Sequence, residues 1–199
     1  MSMKLPVKGG GDFKTVPAGS HMAVCTQLVD IGLQPGSGQY PAPKHKIILR
    51  FEIPAERVEV DGKDMPAVIS QRFTASMSEK SNLRALIQSW SGKKFSDAEA
   101  EEFDIERLVG KSAMLTIIHS ERGGKTYADI KGIGPLPKGV PEVKPEGELF
   151  VYSDEHKQNY DKLTKYVKEL VDGQIRPEVK APASSTEPED SPFNDDIPF

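Results

Sequence analysis

Two triplets in this 199-residue chain invite a search for phosphate chemistry: Gly110-Lys111-Ser112 and Gly124-Lys125-Thr126. A phosphate-binding loop wraps backbone N–H groups around a nucleotide and needs a further glycine five residues before its Gly-Lys pair. Those positions hold Ile105 and His119, so both triplets read as turns entering strands. The four histidines, at 21, 45, 119 and 156, share no metal-ligand spacing with one another or with Cys25, the single cysteine. No Gly-x-Ser-x-Gly elbow occurs. The acids from Asp97 to Glu106 fall in short helical stretches, where a charge run is ordinarily a solvated face. Residue types and spacing give no catalytic constellation and call for no metal or cofactor, and the chain reads as non-enzymatic.

Polyanion binding is the chemistry that the spacing supports. In the run Lys44 to Ile53, period two places Lys44, Lys46, Ile48, Arg50 and Glu52 on one strand face, with steps of about 7 Å. His45, Ile47, Leu49, Phe51 and Ile53 form the opposite, core face. Ser70, Arg72 and Thr74 share a face in a later strand, and Lys125, Tyr127, Asp129 and Lys131 share one in another. A single-stranded nucleic acid needs cations for its phosphates and flat rings for its unstacked bases. Lys44, Lys46, Arg50, Arg72 and Lys131 are the candidates for the first role, and Tyr127 for the second. Tyr40, in a long loop, is placed to close over a bound strand. Phe51, Phe73 and Trp90 lie on apolar faces and read as core. The competing reading of the cations is an ordinary solvated strand face.

The elements that must position these residues follow from pattern. Residues 21–31 read as a first strand, which takes the Gly19-Ser20-His21-Met22 run as native sequence. Residues 32–43, rich in Gly and Pro, form a mobile loop. A second strand runs from Lys44 to Ile53 and ends at Pro54, and a third from Ala67 to Met77, after a turn at Asp61-Gly62. Leu83, Leu86, Ile87 and Trp90 then make a helical stripe, with Ser76 or Ser81 as its cap and Gly92 past its end. Ser96 to Glu99 is a capping-box pattern opening a second, short helix, and Asp104 to Val109 adds a turn. Ser112–His119 and Thr126–Ile133 are strands four and five. Three strands, a helical insert and two strands predict a mainly β fold, a five-stranded Greek-key barrel of the OB type with its helices between strands 3 and 4. Tyr160, Leu163, Val167, Leu170 and Val171 predict one further amphipathic helix.

The net charge of −4 conceals a segregation. Residues 1–140 carry 19 basic and 16 acidic side chains, and residues 141–199 carry 7 and 14. No apolar run approaches the length of a membrane span, no secretory signal is expected, and one cysteine fits a reducing cytoplasm. The organisation expected is a flexible segment 1–15, the barrel at 16–140, a linker with an amphipathic helix at 141–176, a disordered linker at 177–193, and a docking tip at 194–199.

That tip, Asn194-Asp195-Asp196-Ile197-Pro198-Phe199, resembles the acidic C-terminal tip of bacterial single-stranded-DNA-binding proteins. Asp195, Asp196, Ile197, Pro198 and Phe199 match residue by residue, with Asn194 in place of a further acid. The rest is similar to the OB-fold single-stranded-DNA-binding proteins of tailed bacteriophages. The likeness is carried by residues 16–19, Glu79 to Arg84, Leu108 to Lys111, Lys125 to Ile130 and Pro135 to Gly139. The resemblance implies a protein that coats single-stranded DNA in phage replication, recombination or repair in the cytoplasm of a bacterial host. It also implies that Asp195 to Phe199 recruit partner proteins. The barrel lacks the pattern of the bacterial housekeeping protein, which leaves homo-oligomerisation open. The alternative is an OB-fold protein–protein adaptor of such a complex with weak DNA affinity.

Overall fold

Ile47, Leu49, Phe51 and Ile53 alternate inward and are almost wholly buried, so the strand begun at Lys44 forms as its period requires. The computed structural model describes residues 15–36, 38 and 41–175. Tyr40, residues 1–14 and residues 176–199, which include the Asp195–Phe199 tip, lie outside the described residues. The strands are β1 (Gly19–Gln34), β2 (Lys44–Val60), β3 (Lys63–Thr74), β4 (Ser112–Arg122), β5 (Lys125–Gly134) and a short β6 (Phe150–Tyr152). The helices are α1 (Asn82–Ser91), α2 (Asp97–Glu101) and α3 (Lys165–Asp172).

Five antiparallel strands in the order β3-β2-β1-β4-β5 curl strongly into a half-barrel. The curl has local causes. Register shifts interrupt β1 twice, β2 between Ile53 and Arg57, and β5 at Lys131, opposite Thr116 and Ile117, and each such bulge bends its strand. The edge strands β3 and β5 therefore approach each other, and α1 packs against both. Phe51, Leu115 and Ile117 fill the concave side, where the Phe51 ring lies 5.5 Å from that of Trp90. Cys25 is buried in the same core, and burial pushes its thiol up to about 12.

Two-residue turns close both long hairpins. Asp61 and Gly62 have φ of 52° and 74°, and Gly123 and Gly124 have 58° and 73°. Positive φ at both central residues matches the right-handed twist of paired strands. Ser81 caps α1 by accepting from Leu83 N–H, and Gly92 ends it in the left-handed region. Ser96 and Glu99 complete the capping box of α2. Lys93, and then hydrogen bonds from Ser96, hold the Glu99 carboxyl down to about 2. Its contribution is complete above the ordinary carboxylate range and is lost as pH falls toward that value. Ser96→Ala is expected to cost about 1 kcal/mol, read as a drop of about 2–4 °C in the thermal midpoint.

Three expectations about these elements are corrected. β2 does not stop at Pro54: the proline sits in the bulge, where no ladder donor is needed, and pairing resumes at Arg57 with Pro66. His45, expected on the core face, lies exposed near the strand end with Nε2 2.6 Å from Asp30 Oδ1. The predicted C-terminal helix is two pieces, a 3-10 turn at Lys157–Lys162 and α3, separated by the extended backbone of Leu163 and Thr164.

Residues 150–175, expected within a linker with an amphipathic helix at 141–176, pack on the convex side of the sheet. β6 lies parallel to β1 at residues 27–29, beyond the stretch of β1 that pairs with β4. Phe150, Tyr152, Leu163 and Val171 bury Val29, Ile31 and Ile48 in a second apolar cluster. Among the described residues, no helix is long and apolar enough to cross a membrane.

Candidate nucleic-acid interface

The outward face of β2 is not uniform along its length. Its register with β3 sets Lys46 opposite Thr74, Ile48 opposite Arg72, Arg50 opposite Ser70 and Glu52 opposite Val68. Toward Glu52 this face is covered. Glu52, expected on a solvated face, is 3% exposed and accepts from the backbone N–H groups of Glu146 (2.6 Å) and Gly147 (2.9 Å). A Cβ at residue 147 would lie 2.7 Å from Glu52 Oε2, so a side chain there would displace the carboxylate. Ile48 lies under the 150–171 segment. Arg50 is half-buried; burial lowers its pKa, and the Glu52 carboxylate opposes that shift. Arg50 is thus partly withdrawn from the open cationic row in which the sequence placed it, by a segment too far along the chain for strand periodicity to reveal.

The Lys44 end is open. Lys44 and Arg72 are exposed, and Lys46 is half-buried, donating from Nζ to Thr74 Oγ1 at 2.8 Å. Burial pushes the Lys46 pKa down, and the positive charges of Lys44 and Arg72 push it down further. Three cations are thus close enough to repel one another, a configuration that a polyanion relieves.

Arg72 makes a contact that strand periodicity did not anticipate. Its Nη2 donates to Tyr166 Oη at 2.8 Å. Tyr166, near the start of α3, is 61% exposed, above the other exposed large hydrophobic residues of the described chain. Its ring is therefore held beside the cations with much of its surface in solvent. The available signal was an aromatic residue off the Tyr160–Val171 stripe, and so on the polar side of an amphipathic helix.

The remaining candidates lie apart, on β5. Tyr127 is 43% exposed, with the Arg122 guanidinium 5.6 Å from its ring centroid. Arg122 also pairs with Asp129, whose carboxyl is held low first by Ser120 and then by Arg122. Lys131 is exposed where β3 and β5 converge, lining a cavity of about 280 Å³ with Gln71, Asn82 and Ser89. Gln71 Oε1 is buried there with no hydrogen-bond partner among the described residues. Among the described residues, no group of three or more His, Cys, Asp or Glu side chains is placed to hold a metal ion.

The β2–β3–α3 face thus combines neighbouring cations, an exposed ring and hydroxyl groups on a curled antiparallel sheet. It can bind an extended polyanion whose flat groups stack. No protein-family model and no curated protein matches the chain.

Proposed function

We propose that the chain is a single-stranded-DNA-binding protein of the OB type, binding with little sequence preference through phosphate neutralisation and base stacking. The observation that carries this reading is the open group of Lys44, Lys46 and Arg72 with the Tyr166 ring tethered to Arg72. Cations without rings would fit duplex DNA equally well, whereas a solvent-facing ring fits bases that are already unstacked. The strand order β3-β2-β1-β4-β5, with α1 packed against both edge strands, supports the OB assignment. Tyr127 and Lys131 would extend the path onto β5. On the resemblance of its barrel motifs, the protein would serve phage DNA replication, recombination or repair in a bacterial host, and on that of its tip, Asp195 to Phe199 would recruit partner enzymes.

Titration of a fluorescent oligo-dT against a duplex of equal length tests the proposal. Submicromolar, salt-sensitive and single-strand-selective binding is expected. Absence of binding below tens of micromolar would overturn it in favour of the adaptor reading. Residues 181–199 carry five acids and no base. Removing them is expected to tighten binding a few-fold at 50 mM salt, by relieving competition for the cations. The gain should shrink as salt is raised and screening shortens.

A further inference from the structure

Gln71 is a polar side chain in a core phase. On β3 it shares its strand phase with Ile69 and Phe73, both buried on the concave side. Its Oε1 is buried with no hydrogen-bond partner among the described residues. A buried acceptor left unpaired forfeits the hydrogen bonds it made in water, so such a group calls for a physical reason. The reason lies at the seam of the half-barrel. β3 and β5 approach each other there with no ladder between them among the described residues, and α1 packs across both. Elsewhere along the seam α1 supplies a donor: Ser89 Oγ donates to Ile133 O at 2.5 Å. Nothing in the described chain does so for Gln71.

The cavity that Gln71 lines has a volume of about 280 Å³, at the lower end of small-molecule sites and suited to one planar ring system. Phe73, Leu86 and Ile130 give it apolar walls, and the exposed Asn82 and Lys131 stand at its mouth. Lys131 is the extra residue of the β5 bulge, opposite Thr116 and Ile117, and a bulge re-aims the side chain it carries. β3 is an edge strand, so a polynucleotide leaving Arg72 over that edge meets the seam. We infer that this cavity is a base-binding subsite, in which Gln71 Oε1 accepts from the exocyclic amino group of a cytosine or adenine. The base ring lies against the apolar walls, and Lys131 meets the adjoining phosphate. Cytosine and adenine carry such a donor on the edge that a side-chain amide can read. Resting on the single-strand reading, the subsite adds to it a modest base preference. One net hydrogen bond is worth about fivefold in affinity, which leaves binding tolerant of sequence.

Two probes separate the subsite from general binding: oligo-dC, and an oligomer of equal length built from the 2-pyrimidinone nucleotide, which lacks only the amino group. The full-length wild-type protein is expected to bind oligo-dC about fivefold more tightly. Gln71→Leu, apolar like its neighbours in phase, offers no acceptor and should bind the two oligomers equally. Gln71→Met, which keeps an unbranched chain, should do the same. Without DNA, both substitutions should raise the thermal midpoint by about 2–4 °C, because each deletes an unpaired buried acceptor. Equal binding of the two oligomers by wild type, or a preference that persists in both variants, would overturn the inference and leave the single-strand reading standing. A lower midpoint in both variants would also overturn it, since the amide would then have a partner in the free protein. Failure of both oligomers to bind wild type below tens of micromolar would overturn the subsite and the single-strand reading together.

Discussion

Replacing Lys46 and Arg72 together by glutamine is expected to weaken oligo-dT binding about 60-fold at 50 mM salt. For single strands, log K falls with log salt at a slope near −0.7 per phosphate neutralised, which makes one contact worth about eightfold at that concentration. Losing two should also flatten the salt slope by about 1.4. The pair is chosen because the positive charges of Lys44 and Arg72 push the Lys46 pKa down, and an incoming phosphate reverses that repulsion. Arg50→Gln is the informative contrast, since Arg50 is half-buried beside Glu52 and the covering 146–171 segment. It should lose less DNA affinity than either member of the open pair. Equal losses at Arg50 and Arg72, or an unchanged slope in the double variant, would place the phosphates elsewhere.

Tyr166→Ala is the second large effect, a loss of about tenfold in affinity, since stacking of one base on an aromatic ring contributes on the order of 1–3 kcal/mol. The signature differs from that of the cations: the salt slope should stay as in wild type, because no phosphate contact is removed. Tyr166→Phe separates ring from hydroxyl. It keeps the stacking surface, loses the hydrogen bond from Arg72, and should retain affinity within about threefold. The ring is 61% exposed, so neither change should lower the thermal midpoint appreciably. A Tyr166→Ala protein that binds as tightly as wild type would leave the ring without a part in recognition.

The sequence made legible what is local. Ser96 and Glu99 cap α2 because a capping box spans four residues, and Asp61-Gly62 turns a hairpin because its two φ angles favour those types. The apolar half of β2 was readable for the same reason. What stayed hidden is non-local. Pro54 ends a strand by local rules, yet β2 crosses it because a bulge removes the need for its N–H. β6 has three residues and no periodicity of its own; it exists because β1 offers an edge at residues 27–29. Ile48 and Glu52 alternate with core residues and should face solvent, but a segment about 100 residues onward covers them. Tyr166 was overlooked because its partner, Arg72, lies 94 residues away. Cation identity could be read from the sequence, whereas which cations remain open depended on how the rest of the chain folds over the sheet.

On the proposed function, single-stranded DNA lies across the Lys44 end of the β2–β3 face against Tyr166. Photo-cross-linking tests it most directly, using full-length protein at submicromolar concentration with oligo-dT carrying 5-iodouracil, followed by peptide mapping. Cross-links at Tyr166 and within residues 44–50 and 70–74 are the predicted result. Cross-links confined to other surfaces, or their absence until tens of micromolar, would contradict it.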